Sequence, residues 1–199
     1  MRARSVSLPL LALFDGRRRR GLGLGAGYID FEGEVIALTR PGRPRMPNGV
    51  ECGLEVAAGV PAWIGEGRLE AGGASVLPGP PWDPIPSPRA RLSISPRFVP
   101  EPWRLAGKGG GLTPAGDDLL AGYAAGLVLF HGLHERALEI ALEAGPRTTA
   151  LSATLLRHAA RGELPEPAHA FLEYGDPRAL CGFGHSSGRA LLVGLALAC

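Results

Sequence analysis

The residues best suited to chemistry lie in one stretch, Gly107 to Gly122, which reads GKGGGLTPAGDDLLAG. It combines a flexible backbone, a cation and two adjacent carboxylates, Asp117 and Asp118. Four of its first five residues are glycine. Glycine adopts backbone angles that other residues avoid, so consecutive amides can turn toward one point. The stretch therefore predicts a loop that can bind an anion.

A helix should begin directly after this loop. Thr113 occupies the position expected of an N-cap, and Pro114 that of the first helical residue. The positive end of the helix would face the loop, where amides without intrahelical partners suit a phosphate or a carboxylate. We therefore predict an anion cradle made of Lys108, Gly109, Gly110, Gly111 and the helix start at Thr113.

The two carboxylates should have different roles. Adjacent helical residues point about 100° apart, so Asp117 and Asp118 are not a facing acid and base of the glycosidase kind. We expect one to address the site, as general base or as a ligand of Mg²⁺, and the other to secure the loop. Changing either to Asn should abolish turnover or ligand binding with little change in melting temperature. Alternatively, both acids only complement the helix dipole.

Lys108 is the only lysine in the chain, since the other 20 basic residues are arginine. It therefore supplies the one compact ammonium group available to the loop. The spacing is not that of a Walker A loop, in which lysine directly precedes Ser or Thr, so ATP hydrolysis is disfavoured. The alternative is that Lys108 is a solvated loop charge.

A second stretch repeats the first at a distance of 72 residues, because TPAGDDLLAG from Thr113 aligns with HSSGRALLVG from His185. Each copy is a glycine-containing loop, a polar cap and an apolar helix with glycine on one face for close packing. Two helix starts facing one cleft would bind a doubly anionic substrate, with His185, Ser186 and Ser187 as donors opposite the aspartates. Alternatively, these three residues only cap the C-terminal helix.

Hydroxyl groups provide a further set of candidates. Thr148, Thr149 and Ser152 lie on adjacent faces of an otherwise apolar helix and could reach the cleft, where Thr149 and Ser152 would bind the substrate. The alternative is that they bond to their own helix. The four other histidines show no partner spacing that would single them out: His131, His134, His158 and His169.

Together, GLTPAGDDLLAG from Gly111 and GFGHSSGRALLVG from Gly182 resemble the signatures of the DUF2877 family. The segment TTALSATLLRHAARGELPEP from Thr148 adds to the resemblance, as do PNG at Pro47 and PPWDP at Pro80. The family includes the third subunit of bacterial oxamate carbamoyltransferase, an enzyme of allantoin and oxalurate catabolism. Two positions depart from the pattern: Lys108 in the loop, and Arg189 where an aromatic residue is frequent.

The resemblance implies a carbamoyltransferase or a subunit of one, in which oxalurate and phosphate interconvert with oxamate and carbamoyl phosphate. Asp117, Asp118 and His185 would then be catalytic, and the substrate a small carboxylate or phosphate. The alternative is a non-catalytic anion-binding or scaffolding subunit of a larger complex. A third interpretation, nucleic-acid binding through Arg17 to Arg20, is disfavoured because charge and aromatic residues are not organised along a face.

The pattern of the chain predicts an α+β fold. Residues 1–77 indicate an antiparallel β region, with strands at 22–31, 35–39, 50–56, 62–64, 68–70 and 74–77 and turns at 32–33, 48–49, 65–67 and 72–73. Residues 78–102 hold nine of the 19 prolines and predict an extended connector, anchored by Trp82 and Trp103. Residues 103–199 predict a bundle of helices at 113–130, 134–143, 148–161, 167–173 and 186–198.

Composition favours a cytoplasmic protein. The three cysteines, Cys52, Cys181 and Cys199, are widely spaced and fit a reducing compartment. The N-terminal apolar run lacks a small-residue cleavage site, and the C-terminal run from Ala190 is too short to cross a bilayer, so we expect neither export nor membrane insertion. A net charge of +2 gives no reason to expect nucleic acid as a partner. Preference for Arg over Lys indicates a GC-rich genome and is compatible with a thermophile.

Overall fold

A computed structural model describes residues 1–88 and 97–199, which form two compact units, Met1–Pro84 and Ile85–Cys199. The first unit is built on a β-sheet and the second on helices, so the predicted α+β class is confirmed. Each unit has its own hydrophobic core.

One curled sheet of nine strands organises the first unit within the described residues. The strands are β1 (Ser5–Ser7), β2 (Arg19–Gly25), β3 (Tyr28–Phe31), β4 (Glu34–Thr39), β5 (Gly49–Glu51), β6 (Pro61–Gly65), β7 (Arg68–Ala71), β8 (Ala74–Val76) and β9 (Pro81–Trp82). Their spatial order is β8-β7-β6-β2-β3-β4-β5-β1-β9. A short helix, α1 (Leu11–Asp15), buries Phe14 in the core of this unit.

The sheet is mixed, so the prediction of a purely antiparallel region is wrong. β5 runs parallel to β4, and β9 runs parallel to β1. The turn at Asn48 and Gly49 therefore does not close a hairpin. Asn48 is fully buried and its side-chain amide donates to the Val35 carbonyl at 2.7 Å, which fixes the connection beside β4. β1 and β9, with three and two residues, are too short to show the period-2 pattern that identifies a strand.

Several predicted strand boundaries in this unit are also wrong, among them that of the strand predicted at 50–56, since β5 ends at Glu51. The strand predicted at 22–31 is a hairpin, because Gly25, Ala26 and Gly27 turn with positive φ between β2 and β3. β2 begins at Arg19, before the predicted strand start at 22, so the last two of the arginines at 17–20 lie in the strand. Arg18 stacks on the Trp63 ring at 5.4 Å and pairs with Glu70, so it belongs to the surface of the sheet.

The proline-rich connector contributes short elements at its two ends. Pro81 and Trp82 form the edge strand β9, a position that tolerates proline. Residues Pro102–Leu105 form a 3-10 helix from which Trp103 packs on the helical core. The middle of the connector, 89–96, with Arg89 and Arg91, lies outside the described residues.

Six helices follow the connector in the described part of the second unit. None of the helices described is both long and apolar enough to span a bilayer. The predicted helices agree with five of them, and the missed one has only four residues. They are α2 (Ala115–His131), α3 (His134–Ala144), α4 (Ala150–Ala159), α5 (Glu166–Tyr174), α6 (Arg178–Cys181) and α7 (Ser187–Leu197).

Helices α2 and α7 pack backbone against backbone through glycine. A Cβ on Gly122 would lie 2.1 Å from the Leu191 carbonyl oxygen, and one on Gly194 would lie 2.0 Å from that of Leu119. The 72-residue repeat aligns Leu119 with Leu191 and Gly122 with Gly194, so the two contacts are equivalent and reciprocal. The two copies of the repeat therefore pack against each other through the same positions.

Gly122→Ala should lower the free energy of unfolding by about 3 kcal/mol or more, because the new methyl group forces the helices apart. Gly145→Ala is the matched control, since the nearest atom to a Cβ there is 3.8 Å away. Urea unfolding of the two variants would measure the difference. Equal losses of stability in the two variants would show that the α2–α7 interface can accommodate a methyl group at position 122.

Candidate functional site

The start of α2 differs from the prediction in its capping. The helix begins at Ala115 with Pro114 at the N-cap position, and Thr113 makes no capping bond. The Gly116 amide donates to the Lys108 carbonyl at 2.9 Å, and the amides of Asp117 and Asp118 donate to the Pro114 carbonyl. These three amides of the first turn are satisfied by the chain itself, so the predicted cradle cannot use them.

The loop before α2 holds the amides that stay available. Gly107, Gly109 and Gly111 have φ values of 70°, 115° and 94°, in the left-handed region that favours glycine. The amides of Gly109, Gly110 and Gly111 donate to no acceptor in the described part of the chain, and all three residues are exposed. The Lys108 side chain is exposed beside them. An anion at this loop would therefore meet loop amides and an ammonium group rather than the helix end.

Asp117 secures the loop. Its side chain is only 2% exposed. One carboxylate oxygen accepts the Gly107 amide at 2.8 Å, and the other accepts the hydroxyl of Thr148 from the 3-10 turn before α4. Both oxygens are therefore engaged in holding the loop and the start of α4 to α2.

Asp118 has a different environment. It is 7% exposed, and its Oδ2 atom has no hydrogen-bond partner within residues 1–88 and 97–199. The net pKa of its carboxyl is raised to about 6, mainly by burial. A hydrogen bond from the Ser187 hydroxyl lowers the pKa, the charge of Asp117 raises it, and a hydrogen bond from the Thr113 hydroxyl lowers it. The net result is a carboxyl that gains and loses a proton near neutral pH, with one free oxygen.

The two helix starts meet at this carboxyl. The hydroxyls of Thr113, before α2, and Ser187, the first residue of α7, lie 3.2 Å apart and both act on Asp118. Ser186 occupies the N-cap position of α7 without a capping bond and is exposed, as is His185. The structure thus brings Ser187 to the aspartate, whereas no contact joins His185 to it. The role of His185 stays a prediction.

The hydroxyls of α4 separate into two kinds. Thr149 caps α4 by accepting the Ser152 amide at 3.1 Å and donates to the Leu112 carbonyl at 2.9 Å. It therefore holds the end of the glycine loop at Leu112 to the start of α4. Ser152 is 1% exposed and its hydroxyl has no partner in the described residues, so it is a buried polar group without an assigned function.

The arrangement does not favour Mg²⁺ as a ligand of the two aspartates. Asp117 has both oxygens occupied, and the raised pKa of Asp118 reflects an environment that disfavours its charged form. A hard divalent cation needs several ionised or carbonyl oxygens around it. Within the described ranges, no group of three or more His, Cys, Asp or Glu could hold a metal ion. The two aspartates therefore do not fit the role of Mg²⁺ ligand, which was one of the two roles considered for them.

A charged cluster with a buried pair, His158 and Glu163, and an exposed Arg161 was not singled out by the sequence. His158, in the last turn of α4, bonds through Nδ1 to Glu163, and Arg161 donates to the same carboxylate at 2.8 and 3.0 Å. Burial raises the pKa of Glu163, but hydrogen bonds from His158 and Arg161 outweigh it and the net pKa is lowered. The cluster fixes the turn after α4. Its only sequence signal is three complementary side chains within six residues of a helix end.

The engagement of Asp117 changes the stability expected of its variants. Asp117→Ala should lower the free energy of unfolding by about 2–4 kcal/mol, because two buried donors lose their acceptor. Thr148→Ala should cost about 1 kcal/mol, and the double variant should cost less than the sum. Urea unfolding of the cycle tests this; strict additivity would mean that the two side chains are uncoupled. The earlier expectation of little change in melting temperature therefore does not hold for Asp117.

Asp118 should make stability depend on pH in a defined direction. Its folded pKa of about 6 exceeds the ordinary 3.8, so its contribution is fully present below pH 3.8 and is lost as pH rises through 6. Asp118→Asn cannot ionise. The natural chain loses stability as pH rises from 3.8 to 6, whereas Asp118→Asn does not. The free energy of unfolding of Asp118→Asn minus that of the natural chain should therefore increase by up to about 3 kcal/mol over this pH range and stay constant above it. Urea unfolding at several pH values measures it. Ser187→Ala removes a hydrogen bond that lowers the pKa of Asp118, so the pH-dependent loss of stability should continue to a higher pH. If the difference in free energy of unfolding between Asp118→Asn and the natural chain does not change with pH, the raised pKa of Asp118 is contradicted.

Comparison with known proteins finds a family that resembles most of the second unit. Residues 105–199 match the family model described as oxamate carbamoyltransferase subunit AllH. No curated protein and no solved structure matches the chain. The match begins at residue 105, so the resemblance of PNG at Pro47 and of PPWDP at Pro80 stays a prediction. The predicted resemblance is confirmed for this part of the chain: residues 105–199 are similar to the family of the oxamate carbamoyltransferase subunit AllH.

Proposed function

We propose that this chain is a subunit of a carbamoyltransferase and that Asp118 carries a proton in the transfer of a carbamoyl group between an amide nitrogen and phosphate. The observation that carries the proposal is the buried Asp118 carboxyl, with one free oxygen, where the starts of α2 and α7 meet. The matched family supports the reaction class. The finer assignment of substrate rests on the chemistry below.

The proposed reaction converts oxalurate and hydrogen phosphate into oxamate and carbamoyl phosphate. A phosphate oxygen attacks the carbamoyl carbon, the bond from that carbon to the oxamate nitrogen breaks, and the proton of hydrogen phosphate ends on that nitrogen. A group that accepts the proton from one atom and donates it to the other assists both steps. A carboxyl with a pKa of about 6 is suited to both roles near neutral pH.

The glycine loop supplies the complementary electrostatics. Both substrates are anions, and both would be attracted to the exposed amides of Gly109, Gly110 and Gly111 and to the ammonium of Lys108. Asp117 accepts the Gly107 amide and Thr149 donates to the Leu112 carbonyl, so both ends of this loop are fixed. These bonds would keep the amides in place before the substrate binds. Ser186 and His185, exposed on the loop before α7, are the remaining candidate donors.

The experiment is turnover of oxalurate with phosphate, measured as carbamoyl phosphate and oxamate formed, by the chain alone and with its partner subunits. Asp118→Asn should reduce kcat at least about 100-fold while KM changes little, because a proton carrier acts in the transition state. Thr149→Ser, which keeps the hydroxyl that supports the loop, is the matched control and should stay active. Full activity of Asp118→Asn would overturn the catalytic role.

A second candidate function is a non-catalytic, anion-binding or scaffolding subunit. Two observations favour it: the family is itself described as a subunit, and the first-turn amides of α2 are already occupied. In that case the chain alone binds oxamate or phosphate by calorimetry without turnover. Activity would appear only with partner subunits and would survive Asp118→Asn, whereas Lys108→Ala would weaken binding of the anion.

A further inference from the structure

The first unit contains a cleft that no part of the proposed function uses. Its volume is about 600 Å³, within the range of cavities that hold small organic ligands. It lies in residues 26–57, outside the range that matches the family, between the tip of the β2–β3 hairpin, β4 and the loop after β5.

Apolar side chains form most of the cleft wall. Ala26, Ala37 and Ala57 are among the apolar residues that line the cleft, and Val56, which is 4% exposed, joins it to the core of this unit. Met46 and Leu54 are half-buried at the side of the cleft. A ligand with an apolar body would therefore bury apolar surface against these residues.

The polar groups of the cleft are few and sit at defined places. Tyr28 is the register partner of Ala37, so the two side chains share one face of the sheet. The phenol is half-buried, and burial raises its pKa, which keeps it a neutral donor. Thr39 places a second hydroxyl two residues beyond Ala37 on β4. These groups can orient a ligand but do not attract a charged one from a distance.

The rim of the cleft is cationic. Arg40 forms an ion pair with Glu55, and both are exposed, so this pair is close to neutral. Arg43 lies on the same rim and forms no ion pair within the described ranges. The net charge of these three groups is therefore +1, carried by a guanidinium that can bond a carboxylate or a sulfonate through two donors.

We propose that this cleft is a binding site for a small organic monoanion with an apolar body. The apolar wall takes the body, and Arg43 pairs with the charge at the rim. A ligand of this kind differs from oxalurate, oxamate and phosphate, which have no apolar body. The site is thus independent of the one at Asp118, and its failure would leave the carbamoyl-transfer proposal untouched.

The test compares two fluorescent dyes with the same aromatic body, anilinonaphthalene sulfonate and its uncharged analogue phenylnaphthylamine. The natural chain should bind both saturably. Arg43→Ala should weaken the sulfonate dye about tenfold or more and leave the uncharged dye unchanged. Arg20→Ala, an exposed arginine on β2 outside the cleft, is the matched control and should change neither.

Two variants that fill the cleft complete the test. Leu54→Trp and Ala57→Trp each place a large ring on the loop side of the cleft and should weaken both dyes. Either variant alone suffices if the other fails to fold, as judged by thermal unfolding. Absence of saturable binding, equal losses in Arg43→Ala and Arg20→Ala, or full binding of both dyes by a folded cleft-filling variant would overturn the proposal.

Discussion

The structure of the second unit depends on the close approach of α2 and α7. Side chains normally hold helix axes apart, but here carbonyl oxygens occupy the space that a Cβ on Gly122 or Gly194 would need. Each glycine lies seven residues after the first residue of its helix (115 to 122 and 187 to 194). Because the two helices cross at the same level, their starts come together, and Thr113 reaches Ser187. A wider crossing would remove the environment that surrounds Asp118.

The repeated sequence builds an asymmetric site from two similar halves. The 72-residue offset places Arg189 and Ala190 at the positions of Asp117 and Asp118, so only the first copy contributes carboxylates. The second copy contributes the hydroxyl of Ser187. Two carboxylates from each copy would bury like charges beside one another at high cost. Divergence of the copies therefore produces one buried carboxyl supported by hydroxyls, rather than two competing acidic sites.

The sequence predicted the helices well and the sheet less well, for physical reasons. Long apolar helices such as α2 show their period over many residues, whereas β1 and β9 have too few residues to show any. The parallel pairing of β4 with β5 depends on buried Asn48, which resembles an ordinary turn residue in sequence.

At the candidate site, the sequence predicted that the two aspartates have different roles. The identity of the loop-holding aspartate was not, because that depends on Thr148, 31 residues away.

Adjacent aspartates acquire opposite chemistry here through orientation alone. Asp117 points toward the loop and α4, where two donors use up its oxygens and hold it as a structural acceptor. Asp118, one residue further around the helix, points toward α7, where hydroxyls only partly offset the cost of burial and one oxygen stays unpaired. A group that carries a proton must have a free oxygen and a pKa near the working pH, and a fully bonded carboxylate has neither. Asp117 therefore keeps the loop in place, and that leaves Asp118 as the carboxyl of the pair to which the proposed proton transfer is assigned.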